Sequence, residues 1–457
     1  LVSCYSCSTF SILDPHSQFA GMNKITFWAV TASLAGFLFG FDTVVISGAD
    51  QTLQEIWGSS DLFHGMVVMA MALWGTVLGA LLGGIPTDRL GRKWTLLGIG
   101  VLYVVSAIGS AMAFDPWSFG IFRFIGGVGV GVSTVAAPAY ISEISPASKR
   151  GRLVALYQFN LVLGILLAFV SNYLLSEIGE HAWRWMMGVE AIPAVIYTLM
   201  IFLIPESPRW LFMRGRINEA KSVMKVIDPS RDVSSMLEQM EVEKSHTKES
   251  LFAPKYRRLI LLAFLIAFFN QVSGINAFLY YAPRIFEIAG LEASGALLSS
   301  IGIGAINLIF TMFGLYLIDR SGRRFLMYIG SFGYIISLSL VAMAFFLEWK
   351  GLAVPIFLFL FIASHAIGQG SVIWVFIAEI FPNKIRAKGQ SLGVSTHWVL
   401  AAIIPSFVPV LFATVGAGVV FLCFAFMMVL QLLFVHFIMP ETKGVALETL
   451  GDDLSKD

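Results

Sequence analysis

Charge is scarce in this sequence. Only 13 % of its 457 residues are charged, about half of what a soluble domain carries, so a water-facing surface is excluded for most of the chain. Cysteine is scarcer still. The three present, Cys4, Cys7 and Cys423, cannot build a disulfide framework, and Cys4-x-x-Cys7 is half of a metal or redox motif with no second half. The seven histidines fall in no metal-ligand spacing and no nucleophile triad is visible, which argues against an enzyme, a metal or an organic cofactor. A net charge of +1 gives no basic field for nucleic acid. "GGVGVGVST" at 126–134 lacks the strand–turn–helix setting of a dinucleotide loop; its small residues suit close helix packing.

Apolar residues make up 57 % of the chain, and the mean hydropathy is +0.80. Runs of about twenty apolar residues are long enough to cross a bilayer. Twelve occur, at about 25–48, 64–86, 94–114, 117–141, 153–176, 184–205, 258–281, 295–318, 325–347, 352–377, 390–413 and 416–439. This predicts an all-α, multi-pass protein of a cell membrane, either a plasma membrane or a bacterial inner membrane, with lipid as its surroundings and no obligate protein partner. Basic residues collect in cytoplasmic loops. With Met22 placed inside, 26 of the 30 Lys and Arg fall on that side, while Arg184, Arg284 and Lys350 fall outside and Arg123 lies within a run. Both termini are therefore expected in the cytoplasm. Residues 1–21 carry no signal-peptide pattern, and Met22 is taken as the natural start, with 1–21 an upstream or non-native extension.

The chain is written twice. "DRLGRK" at 88–93 returns as "DRSGRR" at 319–324; Glu143, seven before Arg150, returns as Glu379, seven before Arg386; "PES" at 205–207 returns as "PET" at 440–442. The offsets are nearly constant, the mark of an internal repeat. Two parallel six-helix bundles are expected, over 22–205 and 258–439, joined by a charged, helical cytoplasmic linker at 206–257 and followed by a short tail at 440–457. Such halves commonly enclose a site and rock around it. The repeated charged turns, with Asp88, Arg89, Gly91, Arg92, Glu143, Arg150, Glu206 and Arg209 in one copy and Asp319, Arg320, Gly322, Arg323, Glu379, Arg386 and Glu441 in the other, predict a cytoplasmic gate in which ion pairs latch one bundle to the other.

Three charges interrupt the apolar runs at one depth. Asp42, Arg123 and Glu190 each lie six residues inside the outer end of their runs, about 9 Å down at the helical rise. Ionisable residues within spans are costly and mark functional sites; a structural ion pair between the first and fourth helices is the plainer alternative. Span seven, "FFNQVSGINAFLYY", carries Asn270, Gln271 and Asn276 in an apolar helix that Ser273-Gly274 can loosen. Amides suit hydroxyl groups, and aromatic rings apolar C–H faces.

Together "GGIPTDRLGRK", "PESPRWL", "NQVSGINAFLYY", "DRSGRR", "AEIFPNKIRAKG" and "PETKG" resemble the sugar porter family of the major facilitator superfamily, over essentially the whole chain after Met22. The resemblance implies twelve helices in two pseudo-symmetric bundles and a monosaccharide, most simply a hexose, as substrate. It implies sugar contacts at Gln158, Gln271, Asn276, Asn307, Gly370, Trp374 and Trp398, with Phe39, Tyr280 and Tyr281 closing over the sugar. Proton-coupled members are similar at Asp42, where facilitative members commonly have Asn, so a proton is the expected co-transported ion, with Glu190 auxiliary. The chain departs from the pattern at Asn270, where Gln is frequent, and at His397, where Asn or Gln is; His397 is expected as a neutral hydrogen-bonding ring. Ile165 stands where some pentose transporters have Gln. Proton symport is the leading expectation. A facilitator with the same pocket comes next, ahead of a sugar receptor and of a drug-efflux antiporter, whose Gly-Pro-rich fifth helix "QFNLVLGILLAFVSN" lacks.

Overall fold

Apolar runs in lipid must satisfy their backbone internally, which leaves the helix as the natural solution here. The computed structural model describes residues 15–146, 148–228, 250–382 and 384–444, with side chains from 24 onward. Cys4-x-x-Cys7, the middle of the linker and residues 445–457 lie outside the described residues.

Among the described residues eleven helices are long and apolar enough to cross a membrane, and a bent pair taken as one span makes twelve, numbered in chain order: Lys24–Gly48, the bent pair Asp61–Met69 with Met71–Leu82, Arg92–Met112, Pro116–Ile144, Arg150–Leu175, Ala182–Ile201, Pro254–Ile288, Ala293–Ser321, Arg323–Phe346, Ala353–Ile380, Arg386–Val415 and Ala417–Phe437. Two bundles of six result, meeting where span five packs on span eight and span two on span eleven. Span seven reaches Ile288 rather than the expected 281. It is two helices, broken at Gly274 (φ 82°), with a further kink at Tyr281 (φ −117°, ψ 19°) just before Pro283, so hydropathy alone underestimates its length. Span two bends by 42° after a π-turn at His64–Met69.

The glycine stretch of span four does what its composition suggests. A Cβ on Gly127 would collide with the Ala72 carbonyl of span two, and one on Gly131 with the Thr76 carbonyl. The two backbones touch, and dispersion between them replaces the hydrophobic drive that lipid cannot supply.

The repeated turns are built alike and correct one expectation. Arg92 donates through Nε and Nη2 to the two oxygens of Glu143 at 2.9 and 3.0 Å, and through Nη1 to the Thr87 carbonyl at 3.1 Å. Arg323 repeats this on Glu379 at 3.1 and 2.7 Å and on the Ile318 carbonyl at 2.9 Å. Each pair closes within its own half, tying span three to four and span nine to ten. The expected bundle-to-bundle latch is not what Arg92 and Arg323 make, because the bidentate geometry spends each guanidinium on its nearest neighbour. Asp88 and Asp319 are weaker accessories, 3.4 and 3.3 Å from the same arginines and mostly in solvent. Arg89 and Arg320 end the preceding helices, Arg320 lying over Tyr316. Arg150 and Arg386 open spans five and eleven, and Arg209 sits in the short helix Pro208–Met213.

Two further acids cap helix starts, where free N–H groups and the helix dipole favour negative charge. Glu206 accepts from the amides of Arg92 and Lys93 at 2.9 and 3.1 Å, and Glu441 from those of Arg323 and Arg324, both at 3.0 Å. Gly91 and Gly322 hold φ of 99° and 91° at these turns, and a Cβ on either would strike the capping carboxylate. The copies differ electrostatically. Burial raises the Glu206 carboxyl above its usual range despite its amide partners. At the less buried Glu441, four backbone amides outweigh burial and hold the carboxyl below that range.

Substituting Gly127→Leu should cost roughly 1–3 kcal/mol or more through overpacking, read as a lower thermal midpoint in detergent. The Glu441 cap should respond to acid: its folded-state value is depressed, so its contribution is present above about pH 4.5 and lost as pH falls through the folded value. Glu441→Gln should lower the midpoint at neutral pH and flatten its decline on acidification.

Candidate functional site

The three intramembrane charges meet. Arg123 of span four pairs through Nη1 with Asp42 Oδ1 of span one, and its Nη2 donates to the Asp42 carbonyl oxygen at 2.8 Å. Both residues are 1 % exposed. Glu190 sits at the break between Ala182–Gly188 and Ala191–Ile201 in span six, buried beside the pair. Its charge and that of Asp42 act on each other, while its Oε1 makes no hydrogen bond. Two acids thus share one guanidinium. The cluster is electrically balanced when one carboxyl carries a proton, since arginine does not give up its own. From the other bundle, span seven packs on span one, with Tyr280 buried in it.

The amides of span seven line up as a polar strip. Asn276 Nδ2 donates to Gln271 Oε1 at 2.8 Å, and Gln271 Nε2 donates to Asn270 Oδ1 at 2.9 Å. The same Nε2 faces the His397 ring of span eleven at 3.1 Å from Nδ1. The break at Ser273-Gly274 lets amides on both sides of it face one way. His397 is boxed by rings, its centroid 4.8 Å from Trp374 and 4.9 Å from Trp398. Trp398 in turn packs at 5.6 Å on Phe39 of span one, so rings from both bundles close one side of the strip. The Trp398 Nε1 is buried with no hydrogen-bond partner, an N–H available to a ligand. Trp374 stays 37 % exposed.

Other expected residues are placed around this strip. Gln158 in span five and Asn307 in span eight are on the two helices that join the bundles; Asn307 Oδ1 accepts from Thr311 at 3.3 Å. Ile165 is buried where span five packs on span one, beside Gly40. Tyr281 is fully buried, its hydroxyl donating to the Pro405 carbonyl at 2.9 Å. Gly370 follows the break in span ten at Gly368, and a Cβ on it would touch His365. His365, which the sequence pattern did not single out, lies with its Nδ1 2.5 Å from the Tyr334 hydroxyl. It holds the broken helix from behind, and one histidine in an apolar stretch was its only signal. Among the described residues no three His, Cys, Asp or Glu side chains gather as metal ligands would.

The geometry is that of a strip of hydrogen-bonded amides and rings in the same molecule as a buried ion pair, and the chain can be compared with known proteins. The model of the family described as "Sugar (and other) transporter" matches residues 28–454. An arabinose-proton symporter of Bacillus subtilis is 33 % identical over 447 residues, covering 95 % of this chain and 96 % of its own. A glucose transport protein of Synechocystis sp. is 33 % identical over 465 residues, covering 96 % and 99 %. A solved structure of the xylose transporter XylE from E. coli, in a partially occluded inward open conformation, superposes with a TM-score of 0.84 at 30 % identity, over 93 % of this chain and all of that one. The chain therefore belongs to the sugar transporter family of the major facilitator superfamily, a family of multi-pass membrane carriers and not of enzymes.

Proposed function

We propose that the chain imports a monosaccharide together with a proton, by alternating access between two six-helix bundles spanning 22–205 and 258–439, with the bracket 206–257 between them. The basic loops face the cytoplasm, and at the opposite end Arg284 of one bundle pairs with Asp50 of the other. The observation that carries the reading is the buried Asp42–Arg123 pair, with Glu190 buried in the same bundle.

The cycle follows from charge balance. Facing outward, Asp42 takes a proton and lets go of Arg123, which turns to Glu190 and Tyr280. Sugar hydroxyls then engage Gln158, Asn270, Gln271, Asn276 and Asn307, and the rings of Phe39, Tyr280, Tyr281, Trp374 and Trp398 cover its C–H faces, with His397 neutral in the amide strip. With both ligands aboard, no net charge has been added to the apolar seam except the proton that balances it, and the bundles can rock. Inside, the proton leaves, Arg123 recaptures Asp42, and the sugar is released. One charge moving inward is worth about 2.3 kcal/mol per 100 mV, enough for roughly fifty-fold accumulation. The relatives carry arabinose, glucose and xylose in their names. For this chain a hexose is the assignment, with the amides of span seven reading the sugar.

Asp42→Asn should abolish uphill uptake while counterflow exchange persists; concentrative uptake in that variant, or absence of sugar-induced alkalinisation in the native protein, returns the chain to a facilitator. Gln271→Ala removes the centre of the strip and should raise the KM for sugar by roughly tenfold or more, with proton leak unaltered. Uptake of labelled glucose challenged with galactose, fructose, xylose and inositol should show hexoses competing best.

A further inference from the structure

At the end of the molecule away from the arginine-rich turns, a buried carboxylate of one bundle is neutralised from the other. Asp50 opens the short helix Asp50–Trp57 just after span one. Arg284, in the outer piece of span seven, approaches it with Nε 2.7 Å from Oδ2 and Nη2 3.0 Å from Oδ1. That Nη2 also donates to Gln54 Oε1 at 2.5 Å, and one turn further Glu287 accepts from Gln51 at 2.8 Å. Two rungs therefore cross between the halves.

His64 secures the carboxylate from span two. Its Nε2 is 2.7 Å from Asp50 Oδ1, and the Ser59 hydroxyl is 3.4 Å from its Nδ1. The π-turn at His64–Met69 puts the ring there, and beside it Gly65 comes so close to span eleven that a Cβ would strike the Ser406 carbonyl. Asp50 and His64 are 1 % and 0 % exposed. Asp50 and Arg284 sit on opposite bundles, and Arg284 lies beyond the kinks at Gly274 and Tyr281. The pair is intact only while this end is closed, and parting the bundles must break it and wet both charges.

We propose that Asp50 and Arg284, with His64 positioning the carboxylate, form a latch that is made and broken once per cycle and sets how long this end stays closed. The latch rests on the transport reading but touches neither the Asp42 cluster nor the amide strip. Removing one partner leaves the other charge uncompensated in the closed state, so the closed-to-open ratio should fall by at least about tenfold.

The test uses the full chain in lipid nanodiscs without sugar, its cysteines replaced and spin labels placed at Glu55→Cys and Glu292→Cys, one on each bundle. Arg284→Met and Asp50→Asn should each add a longer-distance population, Arg284→Lys a smaller one, and Arg284→Met with Asp50→Asn together no more than the larger single effect, as members of one interaction do. Distance distributions unchanged in folded single variants, or strictly additive shifts in the double, overturn the latch. If Arg284→Met does not fold, Arg284→Lys carries the test, its unshifted distribution being the overturning result. Uphill uptake persisting at an altered rate in Arg284→Lys keeps this outcome separate from failure of proton coupling, which Asp42→Asn reads.

Discussion

A lone charge in the bilayer interior costs several kcal/mol, and a guanidinium cannot shed its proton to escape that cost. Arg123 is therefore the constraint around which the first bundle is arranged. Asp42 must lie against it, which sets the rotation of span one. The glycines of span four let span two close in on the same helix, excluding water from the pair. A carboxyl, unlike a guanidinium, can change its charge in use, so the one removable proton in the cluster belongs to the acids.

Acid–arginine chemistry serves opposite purposes at the two ends. At the repeated turns, Glu143 with Arg92 and Glu379 with Arg323 are satisfied inside each half, backed by Glu206 and Glu441 on helix starts. Each of these contacts lies inside one half and ties that half together. At the opposite end Asp50 and Arg284 join across the seam. Rigid halves with a breakable seam are what rocking requires, since strain then collects at the interface rather than inside a bundle.

Much of the site was legible because low dielectric leaves few reasons for a polar residue to be present. Asp42, Arg123 and Glu190 shared one depth in three apolar runs, and the structure puts them together. Asn270, Gln271 and Asn276 were conspicuous in span seven, and they hydrogen-bond in series with His397. The repeated acids and arginines were conspicuous too, yet a latch between the bundles is not what Arg92 and Arg323 make: their bidentate forks reach Glu143 and Glu379 within each half. Asp50 and His64 were passed over because they flank the span ends, where polar residues are ordinary. Arg284 did leave a trace, as one of three basic residues on the side where few belong, and only the fold supplies its partner.

By itself the sequence determined the one-dimensional chemistry: twelve apolar runs, a duplicated set of charged turns, a sidedness bias in Lys and Arg, and polar residues at depths where none is cheap. Those features depend on composition along the chain and on the bilayer as solvent, so they need no knowledge of neighbours. Which acid pairs with which arginine, where span seven breaks, whether a charged contact lies within a half or across the seam, and that His397 and Gln271 share a hydrogen bond were decided by tertiary structure alone. Ion pairs and hydrogen bonds act over a few ångströms between residues far apart in the chain, and only the packing of helices brings those atoms within that range.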